Sequence, residues 1–540
     1  MADSKYSALP PAALLTGAEI FAVDQAGNSV RTTVSAVGNN ALGTYTAPGI
    51  GAQARTVSSK LAESISVFDF MTAAQIANVQ AGLLTLDISG AFNTALTACT
   101  ASSIAKLVIP SGSYLIAATI NRPAGVYMMG DGAEFTALVS TSTFNGPVIA
   151  STGAFNNVIN RGGVQNLAIF GSWGTNHANT LSVGISESFT NRSIHKDVRI
   201  HGCFRGMYGI GVWQVLWDNI QVDGTGTQQN ATGFYLDQLL LTLPVGTSNA
   251  INAVNCVAQD VSDTGWRLLN PNGCKLVDCE AENGINGFFI GNTAAGCYPI
   301  QFGQFTGCVS DTNTGIGFFV QQGSNASPCN YMQFANCWAG THGNLGVYFD
   351  GCSGLNWTNG IIGNNTGAGL RLNNSVNCII ATTQFVQDNL GAQVGIGDIT
   401  ISGGSFNKII GCFSSMATGA SVSLLESGGT NSNTIEHNTL LQGATLIGAG
   451  TRALYNQGYN PVGISGPITV GASPATITAG QSPETHYLTQ SATFTSTIVK
   501  GGKTLGILTS GTTLAVQLDP GVAYQVFWTT TAPTYAKDVH

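Results

Sequence analysis

The sequence predicts an all-β chain built mainly as a right-handed parallel β-helix, a solenoid whose turns of chain stack on one another. Three observations predict it. Gly is abundant, at 69 of 540 residues, while charged residues make up only 9%, far below the usual ~25%. The middle of the chain repeats itself with a period of 23 to 29 residues. Each repeat places an apolar run behind a polar turn.

The repeat is clearest around its cysteines. Asn255-Cys256-Val257-Ala258 is followed by Asp278-Cys279-Glu280-Ala281, Gly307-Cys308-Val309-Ser310, Asn336-Cys337-Trp338-Ala339 and Gly411-Cys412-Phe413-Ser414. Degenerate copies stand at Asn359-Gly360-Ile361-Ile362 and Thr382-Thr383-Gln384-Phe385. Apolar runs follow, as in Gly287-Phe288-Phe289-Ile290, Gly317-Phe318-Phe319-Val320 and Gly346-Val347-Tyr348-Phe349. The period decides the architecture: a propeller blade needs ~40 residues, and a leucine-rich repeat needs a Leu frame that is absent. Two or three short strands per coil, stacked ~4.8 Å apart, fit the unit. The cysteines then form an inward ladder of small buried hydrophobes. Cys274, Cys297, Cys329, Cys352 and Cys378 read as a second inward set.

Different grammars flank the repeats. Ile65 to Phe70 alternates like a strand, and Gly90 to Ala98 reads as a short helix. Lys106 to Ile116 reads as strand, tight turn, strand, and Val126-Tyr127-Met128-Met129-Gly130-Asp131-Gly132 follows. Past residue 441 the repeat stops. Pro461 to Ala475 reads as a linker or crossing segment, and Ser482 to His540 as several strands of a small β-sandwich or barrel.

The order of these segments resembles the opening of the pectate-lyase-like β-helices of bacteriophage tailspikes. The turn Val108-Ile109-Pro110-Ser111-Gly112-Ser113-Tyr114 and the turn Met128-Met129-Gly130-Asp131-Gly132 carry the resemblance. The family's acidic motif before the helix is degenerate here, as Asp87-Ile88-Ser89. Arg55 to Glu63 is similar to the junction that precedes many tailspike β-helices, and Leu14 to Val23 to a short β-motif of phage tail proteins. The resemblance covers roughly residues 10 to 440. It implies a homotrimer with three parts: 1–63 as virion-attachment segment and neck, 64–460 as the β-helix body with capping elements over 64–140, and 461–540 as a β-rich domain. That last part would trimerise the chain or bind carbohydrate. The resemblance also implies docking on tail or baseplate adaptor proteins, binding of bacterial surface polysaccharide, and a place in the virion tail after synthesis in the host cytoplasm.

Bulk properties exclude some functions. The net charge is −8, with no cluster of Lys or Arg, so neither nucleic acid nor an anionic membrane is an expected partner. The N-terminus lacks a secretory pattern. The apolar run Gln238 to Val245 is too short to span a bilayer. No nucleophile elbow, P-loop, HExxH or EF-hand is present, and no cofactor or metal is expected.

Chemistry must then come from carboxylates on the wall. With each cysteine inward, the residues one and three positions later point outward. This places Glu280 and Glu282 on one strand and Asp311 one rung beyond Glu282, with Asp260 at the preceding bend. Glycoside hydrolysis needs a protonated acid and an ionised partner, ~5 Å apart for retention and ~6.5–9.5 Å for inversion. Glu280, Glu282 and Asp311 are therefore the catalytic candidates. Trp338, Asp260 and His342 are the substrate-binding candidates, with Trp338 as a platform for a sugar face and His342 read as a surface side chain. A second zone gathers Asp218, Asp223 and Asp237 near Trp213 and Trp217, and Arg199, His201 and Arg205 would serve a lyase. The competing functions are a non-catalytic receptor-binding fibre and a free pectate-lyase-like enzyme.

Overall fold

Left-handed backbone recurs at the corners of the body, up to three times in a coil, and these bends cut the chain into strands. One coil bends at Ala250, Asn255 and Asp260, with φ of 53°, 51° and 53°; the next bends at Gly273, Asp278 and Asn283. Gly, Asn and Asp dominate because they tolerate this conformation. Only short strands fit between bends, as at Val257–Gln259 and Glu280–Glu282. In this computed structural model the described residues run from 20 to 539, apart from short segments, chiefly 34–43, 225–228, 238–247, 292–298, 323–328, 416–421, 458–464 and 491–495. Cys297, Leu14 to Glu19 and the apolar run from Gln238 lie outside the described residues.

The coils stack in parallel register. One sheet of 25 strands receives two strands per coil through most of the body, a sheet of 13 strands receives one, and a small third patch joins Ser248–Asn249, Pro271–Asn272, Ile300–Gln301 and Cys329–Asn330. This is the parallel β-helix that the repeat predicts. Like stacks on like inside it. Trp266 pairs with Phe288 and Phe288 with Phe318, and the Phe288 and Phe318 rings lie parallel with centroids 4.6 Å apart. Each such ring contributes roughly 1.5–3 kcal/mol by burial.

The cysteine ladder at 256, 279, 308 and 337 is fully interior. The second set divides into two columns. The bridge between Asn330 and Ser353 aligns Cys329 with Cys352, whereas Cys274 and Cys378 immediately precede strands of the large sheet, Lys275–Val277 and Ile379–Ala381. The eleven described cysteines are buried and unpaired. Burial pushes the Cys203 and Cys274 thiols up to about 12.

A polar ladder also runs inside. Asn313 Oδ1 accepts from the Gly284 N–H, His342 Nδ1 from the Asn313 N–H, Asn365 Oδ1 from the His342 N–H, and Asp388 Oδ1 from the Asn365 N–H. Each side chain thus satisfies a backbone donor one coil earlier, where the bend leaves it without a sheet partner. His342 is a rung of this ladder. The reading of it as a surface histidine is overturned.

At the N-terminal end of the body, Ile65–Ser66 is a strand, but Val67–Phe70 turns into a 3₁₀ helix. Ser66 and Asp69 cap each other's backbone there, which ends the expected strand early. A helix at Ala73–Gln80 follows, and the expected helix spans Ser89–Ala101, covering the first coil with Phe92 and Leu96. The two turn motifs are tied together: Asp131 Oδ2 accepts from the backbone N–H and hydroxyl of Ser111 at 2.7 and 2.9 Å. Gly112 has φ 146°, and a Cβ there would meet Val79 at 2.5 Å.

After the body, two four-stranded antiparallel sheets pack face to face around Leu488, Ile498, Val516, Tyr524 and Val526. The expected linker contains a strand, Ser465–Thr469, paired with Thr534–Val539. Near the N-terminus, Ile20–Gln25 and Asn28–Thr33 form an antiparallel hairpin.

Two acids lie inside the solenoid. Burial, with Asp398 nearby, holds the Asp388 carboxyl well above the ordinary range, and burial pushes Asp398 up to about 7. Asp398 accepts a hydrogen bond from Ser414 Oγ. An unfolded Asp ionises near 3.8, so between about pH 4 and 7 the unfolded chain releases a proton that the folded chain keeps. Stability therefore falls as pH rises through that window and stays lowered above it. At about 1.4 kcal/mol per pH unit, Asp398 costs on the order of 4 kcal/mol at pH 8. Asp398→Asn keeps the acceptor for Ser414. It is expected to raise the urea midpoint at pH 8 and to flatten the slope between pH 4 and 7, as urea titrations at pH 4, 6 and 8 would show.

Candidate active site on the solenoid wall

The carboxylates sit on the second of the two large-sheet strands in each coil. That strand starts with an inward cysteine and ends at a left-handed residue, so alternation is preserved along its length. Glu280 and Glu282 flank inward Ala281 and are half-buried. The register pairs Gln259 with Glu282, Glu282 with Asp311, and Asp311 with Gly340. Glu282 and Asp311 are thus neighbours on adjacent rungs, ~4.8 Å apart along the backbone. Glu280 faces Val257 on one side and Val309 on the other. Trp266 anchors this strand from the core, its Nε1–H donating to the Glu280 carbonyl at 2.9 Å.

The electrostatics are those of a crowded acid. Burial first, then Glu280, Asp311 and Asp260, raise the Glu282 pKa above the ordinary carboxylate value. Asp260 stands at the bend, and its Oδ1 accepts from Asn283 Nδ2 at 3.0 Å. Asn283 Oδ1 in turn accepts from Thr312 Oγ1 at 2.8 Å. Asp311 Oδ1 is buried and accepts no hydrogen bond from any described residue.

Trp338 closes the row. It is 40% exposed. A Cβ on Gly340 would lie 2.6 Å from its Nε1, so the indole lies across Gly340, one rung beyond Asp311. Five of the six sequence-predicted residues therefore converge: Asp260, Glu280, Glu282, Asp311 and Trp338. His342 does not. It is 1% exposed, and burial pushes its pKa down to about 4, so it stays neutral as a hydrogen-bond acceptor.

The second zone disperses. Asp218 pairs with Lys196 at 2.8 Å, and Asp237 accepts from the Tyr208 hydroxyl at 2.9 Å. Trp217 is core. Asp223 instead joins the supposed lyase set: it meets His201 Nδ1 at 2.7 Å and Arg199 at 3.1 Å. Sequence spacing missed this pairing because Asp223 lies one coil beyond His201. His201 stacks on Phe170 and lines a cavity of about 350 Å³ with Ser113, Ser140 and Thr175. Arg205 faces elsewhere, over the Tyr208 and Tyr235 rings. Arg199 is held between Asp223 and Glu134. Its charge is matched by these two carboxylates.

No group of His, Cys, Asp and Glu suited to a metal ion occurs among the described residues.

No family model and no curated protein matches the sequence. Solved structures do match the fold. Bacteriophage CBA120 tailspike protein 3 aligns with a TM-score of 0.58 at 14% identity, over 80% of this chain and 68% of its own. The Dettilon tailspike protein aligns with a TM-score of 0.56 at 12% identity, over 89% of this chain and 95% of its own. The chain shares the parallel β-helix fold of these proteins. The A-module of an Azotobacter vinelandii mannuronan C-5 epimerase shares the fold too, with a TM-score of 0.51 at 15% identity over 73% of this chain and 98% of that one. At such identities the likeness is one of fold, and residue roles come from this chain's own geometry.

The buried position of His342 has a direct consequence. Asn fills the same ladder position one coil before and one coil after it. His342→Asn is expected to unfold at close to the wild-type urea midpoint. His342→Leu removes the acceptor for the Asn313 N–H and is expected to lower stability by about 1–3 kcal/mol. Urea unfolding of both variants checks this.

Proposed function

We propose that this protein is a phage tailspike that binds and depolymerises bacterial surface polysaccharide, by endo-hydrolysis at Glu282 and Asp311. The observation that carries this reading is the alignment of Glu282 and Asp311 on adjacent rungs beneath the exposed Trp338. Glu282, its pKa raised by burial and by three acidic neighbours, is the proton donor to the leaving glycosidic oxygen. Asp311 is the partner carboxylate that stabilises the positive charge developing on the sugar ring or directs water to it. Trp338 supplies a flat surface for a sugar face, and Glu280 and Asp260 help raise the Glu282 pKa.

The tailspike-like fold supports the wider setting: a homotrimer in the virion tail, docked through residues 1–63 on adaptor proteins, with 461–540 as trimerisation or carbohydrate-binding domain. Exposed Ile361 and Phe413 lie on the outward column beyond Trp338. They support burial of one flank against further copies of the chain.

Purified protein incubated with bacterial surface polysaccharides, with products followed by mass spectrometry, tests the activity. Oligosaccharides of one repeat length, each heavier by one water per cut, are expected. Glu282→Gln and Asp311→Asn are each expected to reduce turnover 10²-fold or more while leaving polymer binding intact. Polymer that binds but stays whole across pH 4 to 9 would make the protein a receptor-binding spike. Gly340→Ala, which displaces the Trp338 indole, is expected to weaken binding tenfold (about 1.4 kcal/mol) without changing the unfolding midpoint by more than the error of titration.

A further inference from the structure

A second cavity, of about 460 Å³, opens at another corner of the coil, where the chain leaves the 13-stranded sheet. It is lined by Asn160, Asn191, Arg192, Trp213, Gln214 and Asn249 among others. The corner stacks in register: Asn160 pairs with Asn191, Asn191 with Trp213, and Trp213 with Asn249. Its chemistry differs from that of the carboxylate wall, because no acid lines it. Amides alternate with one half-buried indole, and Asn191 Nδ2 donates to Asn160 Oδ1 at 3.0 Å. Asn191 Oδ1 is buried and accepts from no described residue.

Two arginines mark the place. Arg161 and Arg192 follow the paired Asn160 and Asn191, so they stand one rung apart, and both are exposed. Arg192 Nε donates to Gln214 Oε1 at 2.8 Å, a neutral partner. Neither guanidinium meets a carboxylate among the described residues. Arg192 lines the cavity, and Arg161 stands one rung from it. Arg161 and Arg192 have φ of 62° and 59°, and this corner is left-handed throughout the stack, with Gln214, Ala250, Phe302 and Tyr331 at the same place in later coils.

We infer that this corner is a second glycan-binding site, separate from the carboxylates, selective for an acidic sugar. The anionic group, a uronate or sialate carboxylate, lies between the guanidiniums of Arg161 and Arg192, which can clamp it in bidentate fashion. The sugar ring rests on Trp213, and the amides of Asn191, Gln214 and Asn249 take its hydroxyls. With no acid or base in the cavity, the site binds and does not cleave. It would anchor an acidic stretch of polymer at a distance from the negatively charged wall that repels it. The inference draws on the glycan-binding reading above but stands on different residues.

The test is an array of purified bacterial polysaccharides, acidic and neutral, followed by calorimetric titration with the glycans bound, and with sodium sulfate and free glucuronate as controls. Wild type is expected to prefer acidic glycans, with affinity falling as salt rises from 50 to 300 mM. Arg161→Gln/Arg192→Gln and Trp213→Ala should each weaken acidic-glycan binding tenfold or more. Glu282→Gln/Asp311→Asn should leave it unchanged. Circular dichroism melts confirm folding, and Arg192→Lys, which keeps charge but not the fork, should restore part of the affinity. Acidic and neutral glycans held equally, variants that bind as wild type, or full competition by equimolar sulfate would overturn the site. Neutral polymer cut by Glu282 and Asp311 would in that case leave the proposed hydrolysis standing. Acidic polymer bound through Arg161 and Arg192 but never cut would do the reverse.

Discussion

The left-handed residue is the constraint on which the rest of the molecule depends. A flat parallel sheet cannot close on itself, and this chain closes each coil by forcing up to three residues into a region of φ that most side chains avoid. Everything else follows from where those residues fall. They set strand length, since Glu280–Glu282 is bounded by Asp278 and Asn283. They break the sheet ladder at each corner and leave backbone donors that inward side chains must satisfy. The Asn313, His342, Asn365 and Asp388 ladder is the answer at one corner. Asn407, Asn433, Asn438 and Asn456 answer in the same way in later coils.

This constraint explains what the sequence made readable. The recurring Asn, Asp or Gly before an inward cysteine is one bend and the first interior position after it, so the motif carried both the period and the facing of the strand. Counting outward from Cys279 and Cys308 placed Glu282 beside Asp311, because no bend intervenes. The count failed at His342. Thr341, with φ 62°, is itself left-handed, and alternation restarts beyond such a residue, so His342 turns inward. Asp223 escaped for another reason: its partner His201 lies on the preceding strand, and pairing across coils is invisible until the register is known. The strand at Ser465–Thr469 was hidden likewise, since its partner is the last strand of the chain.

Sparse charge sharpens the reading of the surface. Several ionic groups of the body are matched: Arg122 with Glu187, Lys196 with Asp218, Arg199 and His201 with Asp223, Arg267 with Asp263. Even the fully buried Glu187 stays ionised, held down to about 2 by His195 and Arg122 against the opposing effect of burial. Two groups outside this matching are the carboxylates beside Trp338 and the arginine pair beside Trp213. One is acidic and the other basic, each beside an indole, and they occupy different coils, one on a strand and the other at a corner. A protein that needed charge only for solubility would intersperse the two signs.

Solenoid geometry permits this separation at little cost to the core. The coils from Cys279 to Cys308 and from Cys308 to Cys337 are each six residues longer than the one before them. Yet Glu282 still pairs with Asp311, and Phe288 with Phe318. The strands stay in register despite the added chain, because each coil is held by its two neighbours alone. Interior columns and wall chemistry are therefore set independently. An acidic residue added on an outward position changes only its rung, whereas an inward change propagates through the stack. That independence lets one coil carry the carboxylates and a distant coil the arginine pair, with the rung spacing as the ruler that fixes the distance between them.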